Sequence, residues 1–180
     1  MLQKPEVINM ENVKIRYSNF SGRGDDYNRE GDRHFTIELD PEAAQYMKNK
    51  GFFVKENHSK NGDEVFYTMK IRCNWNDQYG IAPKIYMVLK NKAVLLSENT
   101  VKRLDDLCII SADISITTGS KPWKERTTGK EYWGAYASIV YAVTDGNSRY
   151  RNDQFAKKYE FDNPFASAET LDMADDSLPF

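Results

Sequence analysis

The sequence predicts an all-β domain, in the sense of a β-rich α+β fold, with about five to seven strands and two short inserted helices. Two observations lead to this prediction. Several stretches alternate apolar and polar residues with the two-residue period of half-buried strands. Rings make up 13% of the 180 residues, and so many rings either fill a β-rich core or form stacking surfaces. A sandwich or a small barrel fits this spacing of strands.

Alternation predicts seven strands in chain order. In the first, Val13, Ile15 and Tyr17 share the inward side, and in the second Phe35, Ile37 and Leu39 do so. The Asn61-Gly62 step favours a tight hairpin between the third and fourth strands. The expected strands span residues 13–20, 34–40, 52–56, 65–75, 84–90, 108–118 and 133–144.

Two short helices are expected between the strands. Asp40 is a helix N-cap, Pro41 suits the first helical position, and Gly51 provides a stop after about Asn49. Ser97 is expected to cap a second helix that runs to about residue 107 and closes one end of a barrel.

Composition restricts the cellular setting. Cys73 and Cys108 are far apart and lack metal-ligand spacing, which indicates a reducing compartment. The sequence shows no signal-peptide pattern and no apolar run near the ~20 residues that span a bilayer. We therefore expect a soluble cytoplasmic protein that does not associate with membranes.

Charge divides the chain into a basic body and an acidic end. The whole sequence has 25 Lys and Arg against 27 Asp and Glu. Residues 160–180 hold six of these acids and no base, so residues 1–159 have a net charge of +4. Such asymmetry is typical of proteins that act on nucleic acids. We expect a folded domain over residues 1–146, followed by a linker and a flexible acidic tail over 147–180.

The tail has two interpretations. Tethered beside a basic groove, it would compete with phosphate as an intramolecular polyanion, and the terminal Leu178, Pro179 and Phe180 would enter the pocket of a partner protein. Alternatively, the tail only keeps the protein soluble.

Enzymatic motifs are weak. His34 and His58 have no Cys or His at ligand spacing, and the sequence contains no phosphate-binding P-loop and no nucleophile elbow. We therefore expect no catalytic residues, no metal and no cofactor. The acidic pairs at residues 25–26 and 105–106 leave open a metal-dependent nuclease.

The strongest positive signal is the interleaving of rings with Lys and Arg. Unpaired nucleic acid exposes base faces, on which rings stack, together with a charged backbone that Lys and Arg follow. Trp123 lies in a polar loop between two lysines, which core packing explains poorly; it either stacks on a base or packs its own loop. Lys70 and Arg72 lie on a strand face that fits either a phosphate-tracking groove or an ordinary solvated surface. The predicted nucleic-acid contacts are Lys14, Arg16, Phe20, Arg23, Tyr27, Arg29, Arg33, Phe66, Lys70, Arg72, Tyr79, Lys84, Tyr86, Lys121, Trp123, Lys124, Arg126, Lys130 and Tyr132.

Three stretches of the chain have the pattern of a known family. The ending DDSLPF is similar to the terminus of bacterial single-stranded DNA-binding proteins, in which Asp residues precede a final Pro-Phe. Together with VKIRYSNFSGRGDDYNREGDRHF (13–35) and TTGSKPWKERTTGKEYWGAYASIVYAV (117–143), this ending makes the chain resemble the tailed-phage single-stranded DNA-binding proteins. This resemblance implies a decorated OB-fold barrel that binds single strands without sequence preference. It also implies an acidic tail that masks the groove and recruits replication or recombination proteins. The residues that carry over as the partner-binding element are Asp175, Asp176, Leu178, Pro179 and Phe180.

We therefore expect a phage single-stranded DNA-binding protein of DNA replication, recombination or repair that acts in the host cytoplasm. Whether it acts as a homodimer stays open. The alternatives from other classes are the nuclease or other DNA-processing enzyme and a protein-interaction module whose tail mimics DNA. Binding of duplex DNA or of RNA also stays open.

Overall fold

A computed structural model describes residues 2–75 and 82–148 of the chain. These residues form ten strands, one α-helix and one 3₁₀ helix. The seven predicted strands are present with shifted ends, and β6 and the hairpin β8–β9 are additional. The strands are β1 Ile8–Asn19, β2 His34–Leu39, β3 Lys55–His58, β4 Val65–Arg72, β5 Lys84–Leu89, β6 Lys92–Leu96, β7 Leu107–Thr118, β8 Trp123–Lys124, β9 Glu131–Tyr132 and β10 Ala135–Ser148.

Five of the strands close into a barrel. The large sheet has the order β3-β4-β2-β1-β7-β10-β5-β6, and a further pairing of β4 with β10 joins its two halves. The ring therefore runs β1-β2-β4-β10-β7 and back to β1. The β4–β10 pairing is parallel and consists of one register pair, Arg72 with Tyr136. This strand order is that of the OB-fold barrel, as expected from the sequence. The strand β3 and the hairpin β5–β6 extend the sheet beyond the barrel.

The α-helix α1, Pro41–Asn49, covers the barrel beside β2 and β4. The side chain of Asp40 accepts a hydrogen bond from the Ala43 N–H, as the predicted N-cap should. Gly51 follows the helix with a φ of +91°, a left-handed conformation that favours glycine. Helix α1 buries Ala44 and Met47. No helix among the described residues is long and apolar enough to cross a membrane.

Two bulges change which side chains face the core. The β1–β2 register shifts between Ile15 and Tyr17, so Tyr17 is exposed rather than inward as predicted. The β7–β10 register shifts between Ala137 and Ile139, after which Val140 and Ala142 face the core and Tyr141 faces outward. Alternation read along an unbroken strand cannot anticipate either change.

Phe20 corrects a prediction of a nucleic-acid contact. Its side chain is fully buried, with its ring 5.5 Å from that of Phe35. The carboxylate of Asp105 accepts hydrogen bonds from the Phe20 and Ser21 N–H groups at 2.9 and 2.8 Å. This turn points Phe20 inward, so the ring is a core residue and does not contact a ligand.

The second predicted helix is also different. A 3₁₀ helix of six residues, Val101–Asp106, replaces the helix predicted from Ser97 to residue 107. Its N-cap residue is Thr100, whose hydroxyl oxygen accepts a hydrogen bond from the Ser97 N–H at 2.8 Å. The residues from Ser97 to Asn99 therefore form a turn before the helix. Val101 and Leu104 are buried, as the predicted packing role requires.

Candidate nucleic-acid interface

A groove of about 620 Å³ crosses one side of the barrel. One wall is the outward face of β1, β2, β3 and β4. The other wall comes from the chain before β3 and from the connection between β7 and β10. The residues that line this groove are Tyr17, Thr36, Phe52, Phe53, Lys55, Asn57, Thr68, Met69, Lys70, Arg72, Lys121, Trp123, Trp133, Gly134, Ala135 and Tyr136.

The strand register aligns the first wall. Tyr17 pairs with Thr36, and Thr36 pairs with Lys70, so these three side chains form a row across β1, β2 and β4. Arg72 lies two residues further along β4, on the same face. Lys70 and Arg72 therefore lie in the same groove as Lys121 and Trp123, although about 50 residues of chain separate the two pairs.

Three rings meet at the second wall: Phe53 and Trp123 line the groove, whereas Tyr132 packs against them from outside the groove lining. The ring centroid of Phe53 lies 6.0 Å from that of Trp123 and 5.2 Å from that of Tyr132, with interplanar angles of 62° and 83°. Trp123 and Tyr132 are paired across the hairpin β8–β9, with centroids 5.3 Å apart. Because two of these contacts are edge-to-face, the rings support one another and still leave flat surface uncovered. Phe53 is 39% exposed and Trp123 is 42% exposed.

The hairpin that carries these rings is anchored by Trp133. The Trp133 N–H donates to the carbonyl oxygen of Gly51 at 2.8 Å, and its indole Nε1–H donates to the carbonyl oxygen of Gln3 at 3.1 Å. The Trp133 ring is buried, and its backbone forms a bridge with Phe52. These bonds fix the base of the hairpin beside the chain that carries Phe53, which explains why the three rings meet.

The groove is cationic. Lys55, Lys70, Arg72 and Lys121 line it, and none of its lining residues in the described part of the chain is Asp or Glu. One of these cations has an acidic partner, since the Asp32 carboxylate lies 3.0 Å from Lys70 Nζ. Arg72, Lys121 and Lys55 are exposed cations on the groove walls. An extended polyanion would therefore meet several positive charges along its path.

The charges beside the groove shift two titrating groups. Burial opposes ionisation of Asp32, but the hydrogen bond and positive charge of Lys70 outweigh it and lower the Asp32 pKa below its ordinary value. Burial, followed by the charge of Lys70, lowers the pKa of His34 below its ordinary value. His34 is in register with Arg72. The cations that line the groove therefore favour the neutral imidazole of His34 and the ionised carboxylate of Asp32.

Lys14, Arg16 and Phe66 lie outside the groove lining. Arg16 donates to the Glu38 carboxylate at 2.9 Å, and Lys14 Nζ lies 3.4 Å from the same carboxylate. The Arg16 guanidinium also lies 4.0 Å from the ring centroid of Phe66. The two cations share one carboxylate, so this group adds one net positive charge beside the groove.

The β1–β2 loop presents Tyr27 to solvent. Asp25 Oδ1 accepts hydrogen bonds from the N–H groups of Tyr27 and Asn28 at 2.8 and 2.7 Å, an Asx-type turn that leaves the Tyr27 side chain 95% exposed. Arg23 and Arg29 are exposed nearby. Arg33 points elsewhere, because it donates to the Glu98 carbonyl oxygen at 2.9 Å and lies 5.2 Å from the Trp75 ring centroid.

The other predicted contacts are not part of the groove. Lys84 and Tyr86 lie on the outward face of β5, where the Tyr86 ring stacks on Tyr141 at 4.5 Å with an interplanar angle of 8°. Lys124 pairs with Glu131 in the β8–β9 hairpin. It follows Trp123 directly, so the two side chains point to opposite faces of the hairpin. Arg126 and Lys130 are exposed on the hairpin loop. Tyr79 and the tail residues Asp175, Asp176, Leu178, Pro179 and Phe180 lie outside the described residues.

Sequence reasoning missed one row of the groove. Phe53, Lys55 and Asn57 all line it, at the two-residue spacing of an extended chain whose intervening Val54 is buried. The signal was present as a ring, a cation and an amide in alternate positions. It was overlooked because the predicted strand at residues 52–56 was not assigned an outward face and ended before Asn57. Tyr17 was missed as a lining residue because alternation assigned it to the inward side of β1, and Tyr136 also lines the groove without having been predicted.

One carboxylate of each acidic pair that suggested a nuclease is engaged in a structural hydrogen-bond network. Asp105 accepts hydrogen bonds from two backbone N–H groups and the Ser18 hydroxyl, and Asp25 holds the Tyr27 turn. Among the residues that the structure describes, no three His, Cys, Asp or Glu side chains are arranged to hold a metal ion.

Together, the fold and the groove define a class of protein: an OB-fold module with a ring-bearing cationic groove, suited to an extended anionic polymer. The profile of the family described as "Putative phage ssDNA-binding domain" matches residues 1–179. The chain therefore belongs to the phage single-stranded DNA-binding domain family, as the sequence had indicated.

Solved structures of phage proteins are similar to this chain. The single-stranded DNA-binding protein of bacteriophage Enc34, truncated at its C-terminus, is 13% identical with a TM-score of 0.47, covering 79% of this chain and 87% of that chain. The Enc34 protein in complex with ssDNA is 14% identical with a TM-score of 0.45, covering 79% of this chain and 89% of that chain. The gp2.5 single-stranded DNA-binding protein of bacteriophage T7 is 13% identical with a TM-score of 0.36, covering 88% and 96%. No curated protein matches the sequence.

Proposed function

We propose that the groove binds single-stranded DNA without sequence preference, in phage DNA replication or recombination. The observation that carries the proposal is the union of exposed rings and cations in one acid-free groove. Trp123 and Phe53 offer ring faces to bases, and Lys70, Arg72, Lys55 and Lys121 lie where a phosphate backbone would pass. Every base has a face that can stack, so this arrangement does not select a sequence.

The loops fit the same function. OB-fold modules bind oligonucleotides on the face of their second and third barrel strands and with the loops between strands 1 and 2 and strands 4 and 5. In this barrel those strands are β2 and β4, and the loops are the Tyr27 loop and the β8–β9 hairpin. Tyr27, Arg23 and Arg29 would therefore extend the groove at one end.

A fluorescence titration with oligo-dT at several salt concentrations tests the proposal. Each phosphate that the groove neutralises should contribute about −0.7 to the slope of log K against log salt. Quenching of tryptophan fluorescence should accompany binding, because Trp123 would stack on a base. Tight binding that ignores salt, or binding of duplex DNA in preference to oligo-dT, would contradict it.

We further propose that the acidic tail masks the groove and recruits replication or recombination proteins. Residues 160–180 have six acids and no base, so the tethered tail would compete with DNA phosphate at high effective concentration. Deleting residues 172–180 should strengthen oligo-dT binding, by an amount that shrinks as salt rises. The control is Phe180→Ala, which keeps the acidic side chains and should leave DNA affinity unchanged while weakening capture of the partner. Unchanged or weaker affinity after the deletion would rule out masking.

We place the protein in the host cytoplasm as a binding module that leaves DNA intact. Incubation of labelled single strands with Mg²⁺ or Mn²⁺ distinguishes this role from that of a nuclease, since any cleavage would contradict it. Sedimentation of the full chain and of the shortened chain would show whether it forms a homodimer.

A further inference from the structure

Asn57 has an unusual position in the groove. It lies on β3 opposite Phe66, and its half-buried side chain turns across the sheet toward β4. The amide Nδ2 donates to the Thr68 hydroxyl oxygen at 2.9 Å and to the Lys55 carbonyl oxygen at 3.3 Å. The Phe66 carbonyl oxygen lies 3.5 Å from the same nitrogen.

These bonds fix which way the amide faces. Two of the three partners are backbone carbonyl oxygens, which only accept hydrogen bonds. The reversed amide would place its own oxygen against both carbonyls, so the network strongly favours the observed orientation. The amide oxygen Oδ1 therefore points away from β4. Within the part of the chain that the structure describes, it accepts no hydrogen bond.

The neighbours of Asn57 indicate what this oxygen meets. Phe53 and Lys55 precede it at two-residue intervals and line the same groove, so a ring, a cation and a hydrogen-bond acceptor follow one another along the chain. A base stacked on Phe53 or Trp123 would present its polar edge beside the ring, and Asn57 lines the same groove. A directed acceptor on a groove wall suits an N–H group of such a base, whereas a phosphate, which offers only acceptors, would gain nothing from it.

We propose that Asn57 Oδ1 accepts a hydrogen bond from an N–H on the Watson–Crick edge of a bound base. This inference rests on the proposed binding of single-stranded DNA and adds a contact to the base edge within that groove. Each of the four bases has at least one such N–H, either on the ring or on an exocyclic amine. One acceptor can therefore serve any sequence, and it distinguishes a base with a free edge from one whose edge is blocked. A strand already paired in a duplex has no such edge to offer.

The test compares oligo-dT with the same oligomer in which every thymine is methylated at N3, which removes the ring N–H. The wild-type protein should bind the methylated oligomer about 3- to 10-fold more weakly, the range expected for one hydrogen bond. Asn57→Ala should bind the two oligomers equally. Asn57→Val, whose β-branched side chain suits a strand, provides a second variant if the first unfolds. Asn61→Ala, in the exposed turn between β3 and β4, is the matched control and should keep the wild-type difference.

The outcomes separate the inference from the function on which it rests. If the wild type binds both oligomers equally, or if Asn57→Ala keeps the full difference, the contact is overturned while DNA binding stands. If unmodified oligo-dT does not bind at all, the proposed function fails, and this contact fails with it. A purely structural role for Asn57 would weaken binding of both oligomers by the same factor.

Discussion

The groove and the outward face of β5 and β10 contain the same kinds of residue in different surroundings. In the groove, Phe53 and Trp123 meet edge-to-face with Tyr132 packed against them, and Lys70 lies on the opposite wall. On the other face, Tyr86 and Tyr141 lie almost parallel at 4.5 Å, with Lys84 nearby on β5. Each of these two tyrosines already covers one face of the other. What distinguishes a candidate binding surface is therefore the uncovered ring face opposite a wall of cations.

The largest expected effect on DNA affinity comes from removing one ring from each of the two regions. Trp123→Ala should weaken oligo-dT binding by about 5- to 150-fold, because a stacked ring contributes about 1–3 kcal/mol per base. Tyr86→Ala should change binding less than about twofold. It should instead lower the free energy of unfolding by about 0.5–1.5 kcal/mol through loss of the Tyr141 stack, over and above the loss of buried area. Equal losses of affinity in the two variants, measured by fluorescence titration and denaturant melts, would erase the distinction.

A second test uses one cation from each region. Lys70→Gln and Arg72→Gln should each reduce the magnitude of the salt slope by about 0.7, since each removes one phosphate contact. Lys84→Gln on the outward face of β5 should leave the slope unchanged. Asp32→Asn sharpens the result: it frees Lys70 from its carboxylate partner at 3.0 Å and should strengthen binding a few-fold. A reduced slope in Lys84→Gln would show that DNA also follows the outward face of β5.

The smallest expected effect is a pH dependence of stability that arises beside the groove. Burial and the charge of Lys70 lower the pKa of His34, so the unfolded chain takes up this proton first as the pH falls below about 6.5. Stability should therefore decrease with acidification in that range. A second decrease should follow below about pH 4, where Asp32 loses the charge that Lys70 stabilises.

Urea melts from pH 7 down to about pH 2 would measure both steps. His34→Gln should flatten the first step, whereas His58→Gln, an exposed residue on β3, serves as the control. An unchanged first step in His34→Gln would assign it to another group.

Local signals predicted the elements that depend only on neighbouring residues. Helix α1 begins after Asp40 and gives way to Gly51 as its caps dictate, and β2 buries Phe35, Ile37 and Leu39 in strict alternation. Local sequence also singled out Trp123 and Lys121, which line the groove, and their contact with DNA stays a prediction.

Features that depend on distant parts of the chain were not predictable. The bulge after Ile15 turns Tyr17 outward, and the bond network of Asp105 turns Phe20 inward, although 85 residues separate this pair. Phe53 joins Trp123 only because Trp133 bonds to Gly51. Each of these outcomes is set by strand register and barrel closure, which the sequence reveals only after the fold is known.

The parallel contact of β4 with β10 gives the barrel a weak seam. Within the described residues one register pair, Arg72 with Tyr136, joins these strands, and both residues line the groove. A polymer lying across this seam would contact both strands and hold them together, so occupancy and barrel closure would favour each other. The protein should then resist heat and proteolysis best when its ligand is bound. The ligand-free protein should unfold first and be degraded first.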